Sequence, residues 1–527
     1  MEWIISQKRI KKMNKHNEGD IVEAQIEFSM SGNAAVKFED KEFFIHKKRT
    51  GNALHLDKVK VALIKGEKKL EAKVIEVIER FKTEFVGTTQ VKKDHTFVVI
   101  DSPKIKVDFY IKGKHDAQDN QKVLVEFQNW ELGSKSPIGK IVKVLGNVGE
   151  NNTEMNAIMY EYGLPIDFPQ EVLNEAELIS EVIPQKEIDK RRDLRNVTTI
   201  GIDPFDSKDA DDTISLEFIN GKRFISINIA DVTHYVKPDT ELDKEAFKRG
   251  TSVYLVDRCI PMLPHRLSNG ICSLKSGADR LCYTVTVCIE DNGRIRDKWF
   301  GRTIINVDKD YSYEQAQEVI ENGSDGSDTD NIILELDKIA KVLRKIRIKD
   351  GSIEMGGKEV KFELDENGKP LGVYFKEQKD ANKLIEEYML LANKEVAKFI
   401  KSKDLPCVNR VHPSPDDEKL LNLKKVAMNF GHDLDISDPD TTKEELNKLI
   451  KNIKDTPEEN ILSTLIIRSM KKAYYSTEEI GHFGLGFGGS HGEGGYAHYT
   501  SPIRRASDIK IHRLLSLALG NDGYPRK

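Results

Sequence analysis

Two small antiparallel β-barrels followed by one large α+β domain is the architecture that the sequence predicts for this 527-residue chain. Three observations predict it. Between residues 18 and 147, short runs that alternate apolar and polar recur in two sets of five, separated by turns rich in Gly, Asn and Asp. Beyond residue 190 longer strand-like runs come first and helix-periodic stretches follow. A charged, mostly helical connector divides the two textures. Period-two runs with turn residues between them read as strands of a small barrel, whereas a block of strands followed by helices reads as a sheet that later helices cover.

In chain order, residues 1–17 form a basic tail. The first barrel, 18–80, is built from IVEAQIEF, AAVKF, KEFFIH, VKVALI and LEAKVIEVI. The second, 83–147, repeats the plan with TEFVGTTQV, HTFVVID, VDFYI, QKVLVEF and GKIVKVLG. In FFIHKKR (43–49), aromatics beside lysines would suit base stacking with phosphate neutralisation, with barrel core as the equal alternative. GNVGENNTE (146–154) reads as a turn-rich boundary, residues 148–189 as the connector, and 190–527 as the large domain. Within that domain, helical periodicity covers 311–321, 331–348, 380–402, 416–430 and 458–475.

Composition narrows the class. With 82 basic and 87 acidic residues the formal charge is −5, so any nucleic-acid site must be a local patch. Five cysteines (Cys259, Cys272, Cys282, Cys288 and Cys407) form no CxxC pair, which argues against a zinc site or a disulfide framework. No run approaches the ~18 apolar residues of a membrane span, and the N-terminal charges follow a very short apolar stretch, the reverse of a secretory signal. A cytoplasmic, membrane-free monomer is the expectation.

The chemistry concentrates in DPFDSKDADD (203–212), five aspartates in ten positions. Uncompensated carboxylates cannot be buried cheaply, so the stretch either faces water or holds a cation. A calcium loop of the EF-hand kind fails on spacing, because its sixth position is Lys208 and its twelfth Ile214. The cluster lies between the apolar runs TTIGI and TISLEF, so Asp203 should leave one strand, Asp211 and Asp212 should enter the next, and Asp209 should occupy the loop. Carboxylates on one rigid turn can share one or two Mg²⁺ ions, and such a site wants a phosphate. Arg504 and Arg505, in HYTSPIRRASD, offer planar donors to phosphoryl oxygens. The Pro-rich segment 254–274, with Tyr254, Arg258 and Arg266, could wall a channel.

Taken together, TIGIDPFDSKDADDTIS, IADVTHYV, TSVYLVDRCIPMLPHRLSNGICSL, EEYMLLAN and HYTSPIRR, in this order across residues 190–513, resemble the ribonuclease R and ribonuclease II family. The first barrel resembles a cold-shock domain and the second does so more loosely. The resemblance implies a Mg²⁺-dependent hydrolytic 3′-to-5′ exoribonuclease that degrades single-stranded RNA processively to nucleoside 5′-monophosphates, without a small-molecule cofactor. It assigns Asp203, Asp209, Asp211 and Asp212 to catalysis and metal binding, and Arg504 to the scissile phosphate. Tyr254 would stack on or orient the 3′-terminal nucleotide. Tyr313 and Glu386 would contact the sugar, a shift of one or two positions moving those roles to Tyr311 or Glu387, and Arg505 would bind RNA.

Three departures from the family pattern stand out. Met355 occupies the segment GSIEMGG where the family carries an aromatic. GFGGSHGEGG (486–495) is a glycine-rich expansion expected to be mobile, and Ala506-Ser507 replace an aromatic and a proline. The family continues beyond the equivalent of Lys527 into further helices and an OB-type domain, so weaker binding of long RNA is expected. The rival reading is a catalytically silent single-stranded RNA-binding protein.

Overall fold

The computed structural model describes residues 16–39, 41–66, 69–93, 95–131, 133–355, 358–365, 368–488 and 495–520. The predicted basic tail lies almost wholly outside the described residues. The chain forms two compact units: residues up to Ile166 with Leu364–Leu371, and Asp167–Glu363 with Gly372 onward.

The first unit holds the ten strands that the alternating runs predict. β1 (Ile21–Phe28), β2 (Ala34–Phe38), β3 (Lys41–Ile45), β4 (Lys58–Lys65) and β5 (Leu70–Glu79) form a sheet in the order β3-β2-β1-β4-β5. Alternation does the work: Val22, Ile26, Val36, Phe43, Val59, Val61, Leu63 and Val74 all point into one core. Register shifts between β4 and β5 curl the sheet around that core. β6 (Glu84–Lys92), β7 (His95–Ile100), β8 (Phe109–Ile111), β9 (Gln121–Asn129) and β10 (Ile138–Asn147) close into a complete barrel. Gly87 permits one close approach in it, since a Cβ there would lie 2.4 Å from the Val99 carbonyl. Between the two alternatives for FFIHKKR the core one holds at Phe43, and the boundary reading is corrected. Phe43 is core, and His46 caps a short turn by accepting the Lys48 N–H, so neither is a free stacking platform. The stretch read as a turn-rich boundary already contains the start of a helix, Asn151–Glu161, because Ala157 packs against Val86 and Leu124 of the barrel.

The second unit is built on a seven-stranded sheet. β11 (Arg192–Asp193), β12 (Thr199–Asp203), β13 (Asp212–Ile219), β14 (Lys222–Ala230), β17 (Asp279–Ile289), β18 (Ile295–Asn306) and β19 (Lys309–Ser312) run in the order β11-β18-β17-β14-β13-β12-β19. A ribbon of β15 (Val253–Tyr254) and β16 (Cys259–Ile260) lies between β14 and β17 in sequence. Ile200, Ile214, Ile227, Ile229 and Val285 pack with Leu336, Tyr388 and Ala392 from the helices Asp328–Lys349 and Asp380–Lys401. A buried hydroxyl and amide ladder crosses five strands: Thr199 meets Ser215 at 2.7 Å, Asn228 Nδ2 donates to Ser215 at 2.7 Å, Thr284 donates to Asn228 at 2.9 Å, and Thr284 meets Thr303 at 2.7 Å. Such a ladder pins the register, since a one-residue slip would bury every one of these groups unpaired.

The predicted helices appear as Tyr313–Asn322, Asp328–Lys349, Asp380–Lys401, Asp417–Asn429 and Glu459–Ser469. The helices Val232–Tyr235, Glu241–Arg249, Pro439–Ile453 and Ala506–Ala518 and the hairpin of β20 (Lys358–Leu364) and β21 (Pro370–Glu377) are among the additional elements. No helix among the described residues is long and apolar enough to cross a membrane.

Candidate active site

Strand order decides what the acidic stretch becomes. β12 ends at Asp203 and its antiparallel neighbour β13 begins at Asp212, so both carboxylates stand at the same end of the sheet. On the other side of β12, β19 runs parallel and places Asp310 opposite Gly201. Residues 204–211 join the strands and are stapled from outside. Lys275 Nζ donates to the Ser207 carbonyl at 2.5 Å, Ser273 Oγ to the Lys208 carbonyl at 3.0 Å, and the Ala210 N–H to Ser273 Oγ at 3.1 Å. A loop held by three bonds presents its aspartates at fixed positions.

Electrostatically, the positive charge at the site does not offset burial and repulsion among its carboxylates. Burial pushes the Asp203 carboxyl up to about 6, with Asp209 and Asp310 adding repulsion against Lys275 and Arg504. Burial and the charge of Asp203 push Asp212 up to about 8, although Arg504 and Arg505 oppose it. Asp211 is also driven well above the usual carboxylate range, by burial first. Its Oδ1 accepts the Ile503 N–H at 2.8 Å, while Oδ2, buried and without a hydrogen bond, faces the Arg504 guanidinium at 3.4 Å. Asp209 accepts a 2.6 Å bond from the hydroxyl of Tyr254, a half-exposed ring on β15. Tyr313, the first residue of its helix, lies close enough to Asp212 and Asp203 that burial and these charges raise its phenol.

Oxygen-only donors, mutual repulsion at Asp203 and Asp212, and one orphaned buried oxygen fit a hard divalent cation. Among the described residues, no three carboxylate, histidine or cysteine side chains converge into a ready-made cage. Asp203, Asp209 and Asp212 would hold such an ion. Asp211 faces the 503–504 turn as well, and so links the acidic loop to the arginines.

Comparisons with known proteins agree with this geometry. The sequence matches the RNB domain over residues 191–521 and a cold-shock domain over 97–169. The chain belongs to the ribonuclease R and ribonuclease II family. It is 38% identical over 523 residues to ribonuclease R of Thermotoga maritima, covering 96% of this chain and 72% of that one. With ribonuclease R of Aquifex aeolicus it shares 32% identity over 486 residues, covering 91% and 68%. The structure of Mycoplasma genitalium RNase R in complex with ribose methylated single-stranded RNA superposes with a TM-score of 0.89 at 25% identity, covering 96% of this chain and 80% of that one. Membership makes the protein an exoribonuclease of the 3′-to-5′ class. The cold-shock match falls on the second barrel, the one whose sequence resembles that domain more loosely.

Within this ribonuclease R-like frame, several sequence expectations change. Tyr311 is buried, donates its one proton to Asp330 and accepts from Thr329 Oγ1, which leaves Tyr313 as the tyrosine beside the aspartates. Glu387 is buried in an ion pair with Arg347, whereas Glu386 is exposed, 3.7 Å from the same arginine. Arg505 is committed to Asp508 by two bonds of 3.0 and 2.7 Å, which occupy its Nε and Nη2. Arg266 is no channel wall: it donates to the carbonyls of Ala176, in the last turn of the helix Gln170–Glu177, and of Ile179, just beyond it, and pairs with Glu181. Arg258 pairs with its neighbour Asp257. Met355 packs on the helical cluster around Leu446 and Phe483. The described part of the glycine-rich expansion packs closely, since a Cβ on Gly486 would stand 2.7 Å from the Ser352 nitrogen; residues 489–494 lie outside the described residues. Sequence reasoning missed Asp310, Lys275 and Ser273, which carry no local motif and reach the site only through strand order.

Proposed function

We propose that the chain is a Mg²⁺-dependent exoribonuclease that hydrolyses single-stranded RNA processively from its 3′ end to nucleoside 5′-monophosphates. The observation that carries this reading is the convergence of Asp203 and Asp212 at one sheet end beside Asp209, where burial and mutual repulsion outweigh the opposing charges of Lys275, Arg504 and Arg505 among the described residues. When bound there, one or two Mg²⁺ ions would supply a Lewis acid and an activated water. Arg504 holds a non-bridging oxygen of the scissile phosphate and stabilises the charge that builds on it. Asp211 orients Arg504 and the Ile503 amide together. Tyr254, fixed by its bond to Asp209, stacks on or orients the terminal nucleotide, and Tyr313 and Glu386 contact its ribose. Arg505 adds a second phosphate contact. Family likeness to a ribonuclease R solved with single-stranded RNA supports the substrate class.

A time course on 5′-labelled single-stranded RNA and matched DNA, with Mg²⁺ or with EDTA, tests this. The expected result is shortening of the RNA from its 3′ end with Mg²⁺ alone, the short 5′-labelled end product appearing before labelled intermediates accumulate. RNA that is shifted on a gel yet stays intact would identify a silent RNA-binding protein instead.

A further inference from the structure

Asp508 is fully buried, and it organises the turn that carries both arginines. Its Oδ1 accepts the Ser501 N–H at 2.8 Å and Arg505 Nη2 at 2.7 Å, and its Oδ2 accepts Arg505 Nε at 3.0 Å. The same Oδ2 lies 2.9 Å from Ser507 Oγ, which lies 3.0 Å from the Tyr475 hydroxyl, itself 2.7 Å from His498 Nδ1. These four groups therefore form one continuous chain ending on the Arg505 partner.

Proton counting orders the chain. A carboxylate paired with arginine can only accept, so Ser507 donates its single proton to Asp508. Tyr475 must then donate to Ser507 Oγ, and His498 Nδ1–H must donate to Tyr475. Any other arrangement leaves one of the three short contacts without a proton. Tyr475 is itself held, because β23 (Tyr474–Ser476) pairs with β22 (Asn409–Val411) and Arg410 stacks 4.9 Å above its ring. Ser507, with Ala506, is also among the positions at which the sequence departs from the family pattern.

We propose that Ser507, Tyr475 and His498 are positioning residues for the arginine pair. Their hydrogen-bonded chain fixes the carboxylate plane of Asp508, and that plane presents Arg505 to the substrate phosphate and locks the 501–504 turn beneath Arg504. Asp508 holds Nε and Nη2 of Arg505, and no partner for Nη1 occurs among the described residues, so a fixed carboxylate sets where that remaining edge points. This inference rests on the exoribonuclease reading for its readout and on the geometry alone for its proton order.

The test compares Ser507→Ala, Ser507→Thr, Tyr475→Phe and the Ser507→Ala/Tyr475→Phe double variant for kcat, KM and thermal midpoint on a short 5′-labelled RNA. Losing one link lowers kcat by about fivefold to tenfold, the worth of one ordinary hydrogen bond, and leaves KM nearly unchanged. Threonine restores the rate, and the double variant is no slower than either single one, because a broken chain cannot be broken twice. Wild-type rates in both single variants, additive losses, or failure of threonine to rescue would overturn the proposal. Should Ser507→Ala lower the thermal midpoint as well, Tyr475→Phe, which keeps the ring under Arg410, decides. If the wild type itself does not shorten RNA, the exoribonuclease reading fails separately, and the ring nitrogen shifts of ¹⁵N-labelled histidine then read the chain directly. Nδ1–H on His498 sustains it, and Nε2–H alone sinks it.

Discussion

Two buried aspartates of the same unit, Asp211 and Asp231, stand in opposite electrostatic surroundings. Asp211 is flanked by Asp212 and has one guanidinium, that of Arg504, at 3.4 Å; burial drives its carboxyl up. Burial also pushes Asp231 up, but Arg302, Arg191 and His234 more than offset it and hold the carboxyl well below the usual range. Arg191 Nη2 donates to Asp231 Oδ2 at 2.8 Å, and Thr233 Oγ1 donates to its other oxygen at 2.8 Å. One carboxylate is matched from within the chain and serves the fold. The other is left under-matched and is ready for something brought from outside. A buried acid that the fold fails to neutralise is thus a better pointer to function than acidity itself.

The largest contrast should come from neutralising each acid. Asp211→Asn is expected to lower RNA cleavage by at least about a thousandfold, as loss of a preorganised charged group in a catalytic site does, while the thermal midpoint holds or rises because an under-matched charge has gone. Gel-shift affinity should stay close to wild type; a parallel loss of binding would remove Asp211 from the catalytic role. Asp231→Asn should do the reverse. It takes from the buried Arg191 one of its two carboxylate partners, leaving Glu187, and is expected to cost about 3 kcal/mol of stability in urea melts, with the rate per folded molecule preserved.

Acid sharpens the same comparison. Because the folded-state pKa of Asp231 is depressed, its stabilisation is present above the ordinary carboxylate value of about 4 and is lost as pH falls below it toward the folded value. Wild-type stability should therefore drop more steeply than that of Asp231→Asn between about pH 5 and pH 2, and the two curves should approach each other at the acid end. Parallel curves would show that Asp231 is not the group responsible.

Smaller still is the cation effect on the resting protein. An ion that binds the folded state alone raises stability by about 2.7 kcal/mol at a hundredfold excess over its Kd, so Mg²⁺ should raise the thermal midpoint of the wild type. Asp203→Asn should blunt the rise and Asp231→Asn should not. At the bottom of the scale, Tyr254→Phe removes only the 2.6 Å bond to Asp209 and keeps the ring. A loss of about tenfold or less in kcat is expected, with no change in melting; a larger loss would give the hydroxyl a direct part in the chemistry.

How much of this was legible beforehand varies with the distance over which a feature is specified. The ten strands of the first unit could be read almost to the residue, because an alternating run such as KVKVALIK specifies both its conformation and its buried face locally. Helices that lie on the sheet were legible for the same reason. The helix Ala506–Ala518 was not, since it begins directly after the arginine turn and has no capping side chain to announce it. At the site, Asp203, Asp209, Asp211, Asp212 and Arg504 could be named from their motifs, but the division of labour among them could not. That Asp211 accepts the Ile503 amide depends on a contact spanning 292 positions.

By itself, then, the sequence determined the secondary structure of the barrels, the strand–loop–strand placement of the acidic run and the family to which the chain belongs, all of which depend on near neighbours or on the order of motifs. Only the tertiary structure decided which acids are neutralised. It set Arg191 and Arg302 around Asp231, brought Asp310 beside Asp203 through parallel pairing of β12 with β19, and tied Arg505 to a buried carboxylate. The physical reason is that electrostatic fate depends on burial and on charges within a few ångströms, and the fold, not chain order, chooses those neighbours.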